Sequence, residues 1–114
     1  GVRFIAISSN NVATHPQDGP ELMKQVAEKE AYPFPYLYDE TQEIAKAYKA
    51  ECTPDFFVFD GNLNCAYRGR FDETRPNIGQ PTGSDLSDAL DTIIAGKKVD
   101  ENQHPSMGCN IKWK

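Results

Sequence analysis

The sequence predicts a small α/β domain with the element order β-α-α-β-β-α. Three observations carry this. Two runs, Val2–Ser8 and Phe56–Phe59, are dense in β-branched and aromatic residues, which suit a pleated strand. Two other stretches, after Pro20 and after Ser84, repeat apolar residues at helical spacing. Between them stands Thr53-Pro54, which stops the preceding helix because proline pushes the residue before it out of the α region.

Val2–Ser8 is the first strand, and the polar run Ser8-Ser9-Asn10-Asn11 ends it. A loop through His15-Pro16 and Asp18-Gly19 leads to Pro20. Pro20 suits the first position of a helix, where a missing N–H costs nothing. Leu22, Met23, Val26 and Ala27 form its apolar face, and the helix should run to about Glu30. Pro33 and Pro35 force an extended segment, in which Phe34, Tyr36 and Tyr38 alternate onto one face. Asp39 is placed to cap the next short helix, with Gln42 as its capping-box partner and Ile44, Ala47 and Tyr48 on the buried side. Phe56–Phe59 and Cys65–Arg70, joined by Asp60-Gly61-Asn62, read as a β-hairpin. The stretch from Phe71 to Gly83 is rich in proline and glycine and reads as a long loop. Ser84 caps the last helix, whose stripe is Leu86, Ala89, Leu90, Ile93 and Ile94, and Gly96 ends it. Residues 97–114 are an extended polar tail, with Ile111 and Trp113 as docking side chains. No repeat or internal boundary interrupts residues 1–114, so a single domain is expected.

Composition narrows the function classes. A net charge of −5 argues against general nucleic-acid binding and against an anionic membrane surface. Mean hydropathy is −0.62, and no apolar run approaches the length of a bilayer span. One tryptophan, five tyrosines and six phenylalanines suffice to anchor packing. Three cysteines have no framework spacing, which fits a reducing, cytoplasmic setting better than a disulfide-dense secreted module. His15 and His104 make no metal-ligand spacing with Cys52, Cys65 and Cys109, so neither metal nor cofactor is expected.

The run Cys52-Thr53-Pro54-Asp55-Phe56-Phe57-Val58-Phe59 resembles the cis-proline corner of thioredoxin-like proteins. Phe34-Pro35-Tyr36-Leu37-Tyr38-Asp39, followed by Ile44-Ala45-Lys46-Ala47-Tyr48, is similar to the middle of the alkyl hydroperoxide reductase/thiol-specific antioxidant redoxins. The tail Pro105-Ser106-Met107-Gly108-Cys109-Asn110-Ile111-Lys112-Trp113-Lys114 matches a peroxiredoxin-like subgroup. The resemblance covers nearly the whole chain. It implies a thioredoxin-like sheet flanked by helices, and thiol–disulfide exchange or peroxide reduction as the parent activity. It also implies that the strand and helix bearing the redox cysteine would precede Gly1. No Cys-x-x-Cys occurs here. A sheet without that central strand leaves backbone edges and apolar faces uncovered, so a homodimer is expected. The alternative function is a non-catalytic thioredoxin-like interaction module or dimerising partial domain.

The candidate site follows from the same residues. The resemblance gives Thr53 and Pro54 a docking role, holding a backbone edge open for an extended peptide or a thiol or disulfide protein partner. Cys52 reads either as a redox thiol at that corner or as a small buried side chain closing a helix. A helix C-terminus disfavours its thiolate. Cys109 reads either as a resolving thiol on a movable tail or as an incidental exposed residue. Cys65 reads as strand packing. Arg68 and Arg70 are candidates to stabilise a thiolate or peroxide by the resemblance. Their other reading is strand-edge charge, with Arg75 and a partner such as Asp72 nearby.

Overall fold

The computed structural model describes residues 1–74 and 79–114, so Arg75 lies outside the described residues. The α/β class holds. The expected elements occur in the expected order, and three short strands join them. The elements are β1 (Ala6–Ser8), a 3₁₀ turn (Pro16–Asp18), α1 (Pro20–Lys29), β2 (Tyr36–Tyr38), α2 (Glu43–Tyr48), β3 (Cys52–Thr53), β4 (Phe56–Phe59), β5 (Cys65–Gly69), α3 (Ser84–Ile94) and β6 (Cys109–Asn110). They group into two compact units. One comprises residues 1–50 with 111–114, and the other comprises residues 51–110.

In the first unit β1 pairs in parallel with β2, matching Ala6 with Tyr36, Ile7 with Leu37 and Ser8 with Tyr38. Parallel strands need a crossover, and α1 supplies it. The first strand is shorter than the Val2–Ser8 expected. The partner segment upstream is Pro33-Phe34-Pro35, and prolines have no N–H to give a ladder. The aromatics of that segment stack instead. Phe34 lies 4.6 Å from Phe4 and 4.9 Å from Tyr32 between ring centroids. Along β1 and β2 the outward residues Ile7 and Leu37 are cross-strand partners, 40% and 45% exposed. Helix α1 starts at Pro20 as expected. Met23 is buried, but Leu22 and Val26, assigned to its apolar face, are exposed.

The short helix α2 corrects two expectations. Asp39 does satisfy its first amides, but from three residues before the cap. Its buried carboxylate accepts from the Ala45 amide (2.9 Å), the Ile44 amide (3.3 Å) and the Ser9 hydroxyl (2.9 Å). Burial pushes the Asp39 pKa up, and those hydrogen bonds outweigh it, so the net shift is downward. Gln42 is not a capping-box partner. It occupies the cap itself, in the left-handed region at φ 65°, and its side chain is only 1% exposed. There its amide donates to the carbonyls of Ser9 (2.7 Å) and Lys112 (2.9 Å), and its oxygen accepts the Lys114 amide (3.1 Å). Residues three apart share a helix face, so Ala45 turns inward with Gln42. Ile44, Ala47 and Tyr48, expected to be buried, face out.

In the second unit β4 and β5 form the expected antiparallel hairpin, with Phe57 opposite Arg68 and a register shift between Val58 and Phe59. The Asp60 carboxylate accepts from the amides of Asn62 (2.9 Å) and Asn64 (3.0 Å), which closes the turn. The other edge of β5 is lined by the tail. Gln103 donates to the Ala66 carbonyl (3.0 Å) and accepts from the Arg68 amide (2.9 Å), standing in for a strand backbone. The His104 carbonyl comes so near Gly69 that an added Cβ would lie 2.3 Å from it. β5 ends at Gly69, one residue before the expected Arg70, because Gly69 pairs with Phe56, the first residue of β4. Helix α3 begins at Ser84, but Ser84 is its first residue rather than its cap. Gly83 is the cap at φ 67°, and the buried Asp72 carboxylate accepts the amides of Gly83 and Thr82, both at 2.7 Å. Ala89 is the buried centre of the stripe, and Ile94 is exposed. Gly96, at φ 73°, closes the helix as expected, with the Lys97 amide reaching back to Thr92.

Candidate functional site

The site lies in the second unit, where the chain turns from β3 into β4. The Thr53–Pro54 peptide bond is cis. The backbone of Thr53 was expected to face an open cleft. Instead the chain covers it with its own tail, because β6 pairs antiparallel with β3, matching Cys52 with Asn110 and Thr53 with Cys109. The Thr53 hydroxyl donates to the Cys109 carbonyl at 3.4 Å. This close fit depends on Gly108. A Cβ there would sit 2.2 Å from the Thr53 carbonyl oxygen, so only glycine admits the approach. One residue-pair earlier, the Ser106 hydroxyl lies 2.6 Å from the Gly69 carbonyl and 2.9 Å from the Asp55 carboxylate, either of which accepts its proton.

Beside the corner is a cleft of about 260 Å³, lined in part by Cys52, Asp55, Arg68 and Ser106. Cys52 is buried, 9% exposed, and its thiol is pushed up first by burial and then by the charge of Asp55. A hydrogen bond from the Gly108 amide and the charge of Arg68 oppose this, but they do not reverse it. Arg68 reaches Asp55 at 3.8 Å and stands over the Phe57 ring, 5.1 Å from its centroid. Arg70 points elsewhere. It pairs with Asp85 of α3 at 2.5 Å, and that hydrogen bond raises its pKa further. The partner of Arg70 is thus Asp85 rather than Asp72. Asp72 organises the loop before α3, and the Thr74 hydroxyl and then the Gly83 amide hold its carboxyl far below the usual range.

All three cysteines are free thiols. Cys65 and Cys109 are exposed. Residues directly opposite in a ladder share a face and neighbours along a strand alternate. Cys109 thus shares Thr53's face of the ladder, and Cys52 shares Asn110's. The two thiols point to opposite sides. Among the described residues, no cysteine precedes a helix, and no group of three His, Cys, Asp or Glu side chains is disposed to hold a metal. No helix among them is long and apolar enough to cross a membrane. Gly108, Ser106 and Asp55 build the corner, and residue-type reasoning did not single them out. The one available signal was the Ser-Met-Gly-Cys run itself, which names no partner.

The AhpC/TSA family model matches residues 1–68, which carry Cys52, Thr53, Pro54 and Arg68. The chain belongs to the AhpC/TSA family. This redoxin membership accounts for the α/β thioredoxin-like fold. Arg70 and Cys109 lie beyond the matched span. The chain is similar, at 59% identity and a TM-score of 0.94, to the crystal structure of an uncharacterized conserved protein from Geobacillus kaustophilus. It is also similar, at 44% identity and a TM-score of 0.95, to a hypothetical protein from Sinorhizobium meliloti 1021. Each comparison covers 100% of this chain, but only 61% of the first chain and 63% of the second. No curated protein matches the chain.

Proposed function

We propose that this chain serves thiol-dependent redox chemistry, thiol–disulfide exchange or peroxide reduction, by supplying the docking corner for an extended disulfide- or thiol-bearing peptide. The observation that carries this reading is the antiparallel pairing at Thr53. The backbone edge beside Pro54 accepts an extended segment in the manner of strand addition. Thr53 and Pro54 are the docking residues. Arg68 lines the cleft beside Cys52, and Arg70 acts through Asp85 as a brace for α3. Cys109 is the thiol with access to a partner. Cys52, buried and held as the thiol, takes part in exchange only once it is uncovered.

A second reading, a non-catalytic interaction module, is favoured by the raised Cys52 pKa and by the lack of any described cysteine at a helix N-terminus. Disulfide reduction and hydroperoxide consumption with a dithiol donor separate the two. The redox reading expects slow turnover by this chain, lowered more by Cys109→Ser than by Cys65→Ser. Turnover unchanged in a chain lacking all three cysteines supports only the module reading. The partner surface we propose for a homodimer is the outward strip of Ile5, Ile7 and Leu37 in the first unit, all exposed apolar residues.

A further inference from the structure

We propose that the cleft beside Cys52 is a binding site for a small primary alkylammonium ion, with the Asp55 carboxylate as its anchor. Every residue that lines the cleft belongs to the second unit, and the site does not depend on the docking reading above.

Asp55 is a charged side chain withdrawn from water, only 7% exposed. A carboxylate has acceptor sites for about four hydrogen bonds, and burying one short of donors is costly. Among the described residues, three groups donate toward it. The Ser106 hydroxyl lies 2.9 Å away, but it lies nearer, at 2.6 Å, to the Gly69 carbonyl. A hydroxyl has a single proton, so it serves one acceptor and turns a lone pair to the other. The Glu51 amide stands 3.4 Å from the second carboxylate oxygen and the Arg68 guanidinium 3.8 Å. Both exceed the ~2.7–2.9 Å of a charge-assisted hydrogen bond. Asp55 thus faces the cleft with acceptor capacity to spare.

The lining selects what fills that capacity. Water supplies donors but no charge. The cleft carries two carboxylates, Glu51 and Asp55, against one guanidinium, Arg68, so it favours a cation. Among the described residues no group of three His, Cys, Asp or Glu side chains is disposed to hold a metal ion. A primary ammonium brings three N–H donors and a positive charge together. Its alkyl chain meets Cys52 and Pro105, the apolar part of the lining. The volume, about 260 Å³, lies below the ~300–1,000 Å³ of drug-sized pockets, which suits a short chain. A bound ammonium also offsets the Asp55 charge, which after burial is what raises the Cys52 thiol, so the ligand favours the thiolate at the corner.

The test titrates the isotope-labelled chain with n-butylammonium chloride at neutral pH and fixed ionic strength, and follows amide chemical shifts. The uncharged control is n-butanol. Butylammonium should give saturable shifts, in the millimolar range expected of so small a ligand, concentrated at the amides of Glu51, Gly69 and Ser106. Butanol should leave those amides unmoved. Shifts that do not saturate, or that butanol reproduces, overturn the site. Asp55→Asn keeps the side chain's shape and removes its charge, and should weaken binding about tenfold or more. A folded Asp55→Asn chain that binds butylammonium as tightly as the original overturns the anchor. The amine and alcohol comparison needs no variant, so it decides the matter even if Asp55→Asn fails to fold. N-acetyl-lysine methylamide should bind no tighter than butylammonium. Tighter binding overturns the free amine as ligand and assigns the cleft to a lysine side chain of a partner.

Discussion

Removing the Gln42 side chain should destabilise the first unit more than any surface change there. In Gln42→Ala, two donated hydrogen bonds and one accepted bond are lost, to Ser9, Lys112 and Lys114. Each is worth ~0.5–1.5 kcal/mol net, so the loss is about 2–4 kcal/mol, with unpartnered buried backbone groups keeping it from falling lower. A glycine at the same position separates backbone from side chain. Gln42 has φ 65°, where a Cβ costs roughly 1–2 kcal/mol and glycine pays nothing. Gln42→Gly should therefore be more stable than Gln42→Ala by about 1 kcal/mol, the reverse of the order in a helix interior. Trp113, the only tryptophan, belongs to the same unit and lies 5.8 Å from the Lys46 ammonium, so its fluorescence in urea reports this unfolding. A Gln42→Ala loss below ~0.5 kcal/mol, or alanine more stable than glycine, would refute the reasoning.

Three further outcomes are expected. Gly69→Ala places a methyl against the His104 carbonyl and should cost about 1–3 kcal/mol, read as a lower thermal midpoint by circular dichroism. Asp72 has a folded pKa below its unfolded value, so its stabilising share is present above the unfolded carboxyl pKa and is lost as pH falls through the folded one. Asp72→Asn should flatten the acid limb of stability against pH, and an unchanged acid limb counts against the Asp72 cap. Substituting Ile7 and Leu37 together by serine should shift sedimentation toward monomer if the exposed β1–β2 face is the homodimer surface; no shift removes that surface from consideration.

The elements that rest on local chemistry were legible in the residues. Pro20 begins α1 because its missing N–H is harmless there, Gly96 ends α3 because it adopts positive φ, and Asp60-Gly61-Asn62 turns the hairpin through the Asp60 carboxylate. The family was also legible, since motifs around Phe34-Pro35 and Thr53-Pro54 are contiguous in sequence. Which side of α2 is buried was not. Apolarity pointed to Ile44, Ala47 and Tyr48, whereas a polar pair turned Ala45 inward: Asp39 accepts the Ala45 amide itself, and Gln42 binds backbone groups of Ser9 and Lys114 far along the chain. The corner was legible only by half. Cys52, Thr53 and Pro54 announce it, but its cover comes from residues more than fifty positions later, and a glycine that packs on a carbonyl has the same letter as one in a loop. Periodicity and turn chemistry are properties of neighbours in sequence, so the sequence alone determined the three helices, the first strand's place, the hairpin and their order, whereas the three added short strands exist only through their partners. Buried hydrogen-bond partners and close backbone approaches are properties of neighbours in space, so tertiary structure alone decided that the tail pairs with the backbone edge of Thr53.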